Sequence, residues 1–473
     1  MTTQEEIRER VQPSLNGVVA ALLVVSVIVF LVVRLLRVDL STIGDAGHLL
    51  VLLAVVPIVL LFAYMRFETA LLVFMFVVAV GKYEIPGVGF FLVYSDVFLI
   101  ILTAVWFTRM VLRKGYGFRS TFLDRHIFIF TLLSVLAVVN SPSFSAGFKE
   151  VVQTVEYLVF SYYLFASAVR SREQIAALMQ ALVMSAVFTS VCGVYQYFEQ
   201  GGGDYRVTST FGHFNAYGAY LAMTTMVTFN LFLSEEERGA RTWLAAALTC
   251  QLVALMMTFS RGAWIGVIVA IVISAQFRGM VQFVRLFTAM VVLAIFLSLV
   301  LPSQFVGRAA SITDFSDPAS ENRIRQYKIA YETIVRRPLL GIGIGSIEGY
   351  ALSEYQEMGV GAVHNLFLMI GAERGLPAMF ALMFFFGSFF INGARRIGET
   401  GERFLFTAYL ALYSGIAAYF FINMTAYQLV RGLGIMFGMY LGLFQAAMKI
   451  EDEEREEKEI PYYVRSAERV IGR

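Results

Sequence analysis

Apolar runs of about 20 residues recur from Leu15 to Ile450, each long enough to cross a bilayer's hydrocarbon core as one helix. A soluble core has no room for so many continuously apolar helices. The 473-residue chain is 58% hydrophobic and only 15% charged, with mean hydropathy +0.70, and a water-soluble globular enzyme is thereby excluded. Strands of a membrane barrel alternate apolar and polar residues over about ten positions, a pattern these runs lack. The first run, Leu15 to Leu36, is too long for a signal-peptide core and reads as a retained span. The fold class is an all-α polytopic membrane protein.

Spans are expected near 15–36, 46–65, 68–81, 91–112, 126–140, 151–169, 175–198, 215–233, 242–259, 262–277, 284–301, 376–393, 404–423 and 430–448, within a total of about 12–14 transmembrane helices. Lys and Arg cluster in alternate connections: Arg109 to Arg125, Arg170 and Arg172, Arg238 and Arg241, Arg278 and Arg285, and Arg395 to Arg403. That bias puts these connections and both termini in the cytoplasm, and leaves 82–90, 141–149, 199–214, the turn near 260 and 302–375 outside. Arg34 and Arg37 at the outer end of the first span run against it. The long external connection is expected to hold an amphipathic helix. Asp317-Pro318 supplies its cap and first turn, Ile324, Tyr327, Tyr331 and Ile334 its apolar stripe, and it stops before Pro338. A second, partly re-entrant helix is expected at Asn365–Glu373. The chain thus divides into N-terminal spans (1–198), a catalytic region (199–380, with its external loop at 302–375), C-terminal spans (381–448) and a charged cytoplasmic tail (449–473) read as solvated.

The net charge of +2 is too small to argue for nucleic acid as a partner, and none is expected; Cys192 and Cys250 lie inside apolar runs where no disulfide framework is indicated. Charge is costly at a membrane boundary unless it is used. Arg206, Arg261, Arg323 and His364 all fall on the external side. Guanidinium groups grip phosphate oxygens with paired hydrogen bonds, and a neutral imidazole takes a proton from a hydroxyl, so this set suits a phosphorylated or pyrophosphorylated substrate. Snorkelling into lipid headgroups is the competing reading of Arg206 and Arg261. Arg325 reads as a solvated face, His213 as packing among aromatics, and Asn365 either as a ring-orienting group or as a helix cap. Neither a glycosidase-type carboxylate pair nor a metal-binding His/Cys cluster is present. The run Gly341-Ile342-Gly343-Ile344-Gly345 is explained better by backbone turning than by nucleotide binding, since no strand–helix–strand unit surrounds it.

Four segments resemble the bacterial O-antigen ligase and O-antigen polymerase superfamily: Arg206 through Asn215; Thr258-Phe259-Ser260-Arg261-Gly262; Arg323 followed by Tyr327 and Pro338-Leu339-Leu340-Gly341-Ile342-Gly343; and His364-Asn365-Leu366-Phe367-Leu368 with Glu373 and Gly375. Tyr327 departs from the pattern, since many relatives carry Trp there. The resemblance implies a metal-independent, cofactor-free, inverting transfer of a glycan from undecaprenyl pyrophosphate to an acceptor hydroxyl on the periplasmic face. It makes His364 the catalytic residue, Arg206, Arg261 and Arg323 the pyrophosphate ligands, and Asn215, Asn365 and Glu373 supporting groups. Its implied partners are the lipid-linked donor, a glycan or lipid A core acceptor, and membrane lipids. Ligation to the core, polymerisation of repeat units and protein O-glycosylation share the donor chemistry, and ligation is the favoured reading. A transporter reading rests on Asp96 and Glu156, carboxylates within spans, and is opposed by the lack of an internal repeat. A structural envelope subunit leaves the basic cluster unexplained.

Overall fold

The computed structural model describes residues 57–80, 93–112, 117–285, 288, 307, 318–355 and 362–459. The expected spans at 15–36 and, for the most part, 46–65 and 284–301 lie outside these residues. The described elements are helical: α1 (Phe67–Val78), α2 (Tyr94–Leu112), α3 (Asp124–Ala137), α4 (Phe144–Val155) running through a π turn (Glu156–Ser161) into α5 (Tyr162–Ala168), α6 (Arg172–Glu199), α7 (Phe214–Ser234), α8 (Arg238–Met257), α9 (Arg261–Phe277), α10 (Pro318–Arg336), α11 (Ile347–Tyr355), α12 (Leu366–Glu399), α13 (Arg403–Asn423) and α14 (Arg431–Glu459). Among the described residues, seven helices are long and apolar enough to cross a membrane, and α1 and α9 are shorter apolar helices. The chain is an all-α, multi-pass membrane protein.

Helix boundaries follow the cap chemistry. The Ser171 hydroxyl accepts from Gln174 N at 3.3 Å to open α6, and Glu402 accepts from Leu405 N at 3.2 Å to open α13. α13 and α14 form the centre of the bundle, buried along most of their length. Lipid gives helices no hydrophobic reason to associate, so close packing has to supply the attraction. α14 achieves it with glycines every fourth residue, Gly434, Gly438 and Gly442. A Cβ at Gly438 would stand 1.9 Å from the Tyr157 carbonyl oxygen, and one at Gly442 would stand 2.4 Å from that of Tyr162. Bare backbone thus lies against the π turn and α5, where the Ser161 hydroxyl also donates to the Ile435 carbonyl at 2.7 Å.

Helix direction gives the bundle two unlike ends. α7, α9 and α12 start at one end, and α13 finishes there. At the other end their termini meet Arg278, Arg396 and Arg403. That end gathers basic residues from separate connections around an acidic segment. Arg119 pairs with Glu453 at 2.9 Å, Arg172 with Glu454, and Arg396 with Glu451 at 2.9 Å and Asp452 at 2.5 Å. The start of the segment expected as a solvated tail is therefore held: α14 continues through it, and the carboxylates from Glu451 to Glu454 are paired. The sequence reading failed because every basic partner but Arg455 lies more than 50 residues away. Residues 460–473 lie outside the described residues.

α10 occupies the range expected of it, with a rotated face. Gln326, Ile329, Ala330, Thr333 and Ile334 are buried, whereas Ile324 and Tyr331 are 56% and 64% exposed. Polar residues can take the inward face because they are satisfied there: the Thr333 hydroxyl donates to the Ile329 carbonyl at 2.7 Å, and Gln326 meets His364.

Gly438→Leu is expected to destabilise the purified protein by about 1–3 kcal/mol or to abolish folding, because backbone cannot retreat from the added atoms. Gly387→Ala, where a Cβ has open space, should leave the melting temperature unchanged or slightly raised. Thermal unfolding in detergent, followed by size-exclusion chromatography, distinguishes the two.

Candidate functional site

α12 is two helices in series. Asn365 caps the first, its side-chain oxygen accepting from Leu368 N at 3.0 Å while its amide donates to the Met424 carbonyl at 3.0 Å. Of the two readings open for Asn365, the cap is the one observed. The first half ends at Gly375 (φ 86°, ψ 170°), where a Cβ would stand 2.2 Å from the Leu339 carbonyl oxygen, so only glycine fits the break. The Pro338–Gly345 segment lies across that break as a strap. Leu376 N donates to the Pro338 carbonyl at 2.7 Å, Ile342 N to that of Ala372 at 3.0 Å, and Gly343 N to that of Glu373 at 3.0 Å. The glycine run is thus backbone architecture.

Glu373 is 2% exposed and lines neither cavity described below; its carboxylate instead accepts from Ser346 N and Ile347 N at the start of α11. Buried Arg374 beside it donates to the Ser134 and Thr154 hydroxyls at 2.7 and 3.2 Å, tying the half-helix to α3 and α4. Together these contacts fix the position of the residue that precedes Asn365, His364.

Arg206, Arg261, Arg323 and His364 line one cavity of about 150 Å³, with Phe214, Asn215, Ser260, Gly262, Asn322, Ile422, Thr425 and Ala426. Arg206 reaches across from the loop before α7 and donates to the Thr258 and Phe259 carbonyls at 3.3 and 3.0 Å, its guanidinium lying over the Phe214 ring. Ser260 donates to the Asn215 side-chain oxygen at 2.9 Å. The two non-glycine residues with positive φ among those described, Ser209 (47°) and Phe259 (49°), both belong to these loops; backbone strain of this kind concentrates at functional sites. Arg261 is 8% exposed and opens α9, where the helix dipole opposes a cation. Among the described residues the lining carries no carboxylate, and such a cavity attracts an anion. Arg325 is exposed and faces Glu321 at 3.8 Å.

His364 is held by a group that sequence reasoning did not single out. The Gln326 side-chain oxygen accepts from His364 N at 3.2 Å and lies 2.7 Å from Nδ1. Because the backbone N–H can only donate, the amide presents its oxygen, and Nδ1 therefore carries a proton. In the neutral ring Nε2 is then the free base. Tyr327, one residue on, donates to the His364 carbonyl at 2.9 Å, so Tyr serves where many relatives carry Trp. Burial, then Arg323 and His213, hold the imidazole below its ordinary value of about 6.5, which keeps it neutral at pH 7. The sequence signal for Gln326 is its place one turn from Arg323 on the same helix, a signal too weak to find it unaided. Thr425 and Ala426 at the end of α13 were likewise not anticipated.

Asp96 and Glu156 line neither cavity. Asp96 accepts from Val93 N at 3.0 Å and from the Ser95 hydroxyl at 3.3 Å at the start of α2. Among the described residues no group of three His, Cys, Asp or Glu side chains is placed to hold a metal ion.

Residues 244–383 match the family model described as O-antigen ligase. The match takes in Arg261, Arg323, Gln326, His364 and the strap, and supports the O-antigen ligase and polymerase superfamily; Arg206, His213 and Asn215 lie before it. No curated protein matches the chain.

If Gln326 sets the tautomer of His364, Gln326→Leu should lower turnover about tenfold without changing the donor's affinity. Gln326→Glu tests the charge: a carboxylate favours imidazolium, so the acid limb of the pH–rate profile, expected below about 6.5 in the native protein, should move to higher pH. An unmoved limb in Gln326→Glu would argue against His364 as the titrating base.

Proposed function

We propose, on the premise that residues 244–383 are an O-antigen ligase family domain, that this membrane protein moves a glycan from undecaprenyl pyrophosphate to an acceptor hydroxyl at the periplasmic face of a bacterial inner membrane. The observation that carries the reading is the convergence of Arg206, Arg261 and Arg323 with His364 on one cavity whose described lining has no carboxylate. In the proposed reaction the acceptor oxygen attacks the anomeric carbon while its proton passes to His364 Nε2. The bond from that carbon to the phosphate oxygen breaks, its electron pair stays on the phosphate, and the configuration inverts. The three guanidiniums offset the charge that grows on the diphosphate, already a good leaving group. Asn215 and Asn365 act as positioning groups, one accepting from the Ser260 hydroxyl in the turn before Arg261 and the other capping the helix behind His364.

Ligation to a lipid A core is the favoured form of the reaction, and polymerisation of repeat units uses the same donor chemistry. Loss of all capped lipopolysaccharide on deleting the gene, with donor polymer accumulating, identifies the ligase. A core capped with single repeats identifies the polymerase.

His364→Ala should reduce transfer by about 10²-fold or more while donor binding persists, since a general base contributes on that scale. Undiminished turnover in that variant would refute the role. Arg261→Lys should weaken donor binding or turnover, because a point charge lacks the paired geometry of the guanidinium.

A further inference from the structure

His364 and Asn215 stand in the wall between two cavities. Beyond the arginine-lined one lies a second of about 240 Å³, lined also by His213, Ala216, Ala362, Tyr427, Gln428 and Val430. Among the described residues its lining has no arginine, lysine or carboxylate, so these residues offer nothing to offset a phosphate and suit a neutral, hydroxyl-bearing group. His213 is the N-cap of α7, and its Nδ1 accepts from Asn215 N at 3.2 Å. A backbone N–H can only donate, so the proton of the neutral ring sits on Nε2. The opposite holds for His364, whose Nδ1–H donates to Gln326 and leaves Nε2 bare. Two imidazoles with complementary tautomers, each fixed by a different partner, therefore line one neutral cavity.

We propose that this second cavity is the acceptor subsite, in which a sugar hydroxyl accepts a hydrogen bond from His213 Nε2–H and donates its own proton to His364 Nε2. The proposal rests on the glycan-transfer reading above and adds to it the acceptor's location and a second histidine that touches it. The geometry agrees with an inverting displacement, in which nucleophile and leaving group occupy opposite sides of the anomeric carbon. The diphosphate would fill the cationic cavity and the acceptor the second one, with the anomeric carbon where the two meet, beside His364. His213 makes the bond in its neutral form, and burial, then Arg206, hold its ring below the ordinary value.

The test separates acceptor from donor. His213→Asn keeps a side-chain oxygen to cap Asn215 N but removes the donor that reaches the cavity, so the variant should fold with an unchanged melting temperature. Transfer is assayed with purified protein and radiolabelled lipid-linked glycan from the source cells as donor, while envelope glycolipid from those cells is titrated as acceptor. Undecaprenyl diphosphate serves as the probe of donor affinity. The expected result for His213→Asn and His213→Phe is an acceptor KM raised about tenfold or more, with undecaprenyl diphosphate affinity within twofold of the native protein, and with partial recovery in His213→Gln. An acceptor KM within twofold of native in both His213→Asn and His213→Phe, in a protein whose native form is active, overturns the subsite alone. Failure of the native protein both to bind undecaprenyl diphosphate and to consume the labelled donor overturns the glycan-transfer reading, and the subsite with it.

Discussion

Backbone that leaves the helix at membrane depth must find its hydrogen bonds within the protein, and the site is organised around that requirement. The break at Gly375 frees peptide groups that the Pro338–Gly345 strap takes up, and Asn140 and Ser141 donate to the strap's own carbonyls at 3.2 and 2.8 Å. The loop before α7 is closed in the same way. Val207 N donates to the Met257 carbonyl, the Gln196 side-chain oxygen accepts from Thr208 N and Ser209 N, and Arg206 takes the carbonyls of the opposing turn. Irregular chain at the cavity is thereby as firmly held as the helices that carry it, and side chains from four separate segments keep a fixed relation.

The two ends of the bundle handle positive charge in different ways. At the far end Arg396 and Arg172 are met by Glu451, Asp452, Glu454 and Glu402, a network that joins α6, α12, α13 and α14. Where the pair is nearly buried, as for Arg396 and Glu451, removing either partner leaves an uncompensated charge that costs several kcal/mol, on the order of 3–5. At the cavity end Arg206 meets carbonyls and an aromatic face, and the starts of α7, α9 and α12 point their partial positive charge towards the cavity.

What could be read in the sequence was what carries a cost that shows locally. Arg206, Arg261, Arg323 and His364 stood out because ionisable groups at a membrane boundary need a reason, and the Gly341–Gly345 run because it lacks the surroundings of a phosphate loop. The residues that complete the site carry no such mark. Gln326 is an ordinary polar residue until α10 turns it towards His364, and the apolar stripe through Ile324 and Tyr331 pointed to the wrong face because polar residues inside the protein can be satisfied by neighbours distant in sequence. Glu373 counts as a supporting group only through the resemblance, and the break at Gly375 leaves it beneath the strap. The acidic segment of α14 looked solvated because its partners are remote, and the glycines that let α14 touch the π turn have meaning only once that turn is opposite them.

The choice of an amide rather than a carboxylate behind His364 follows from the charge around it. A carboxylate would raise the basicity of the imidazole, but it would set a negative charge beside the cavity proposed to receive a diphosphate and would compete for Arg323. Gln326 fixes the tautomer without either effect, at the cost of a weaker base. That weakness is tolerable if the leaving group is a diphosphate gripped by three guanidiniums, because bond breaking then draws the acceptor oxygen in and acidifies its proton as it goes. In the proposed reaction an imidazolium next to Arg323 would be unfavourable until negative charge develops on the diphosphate. Proton transfer and cleavage of the sugar–oxygen bond would then be coupled through the field of the site, and the base would be strongest with the donor in place.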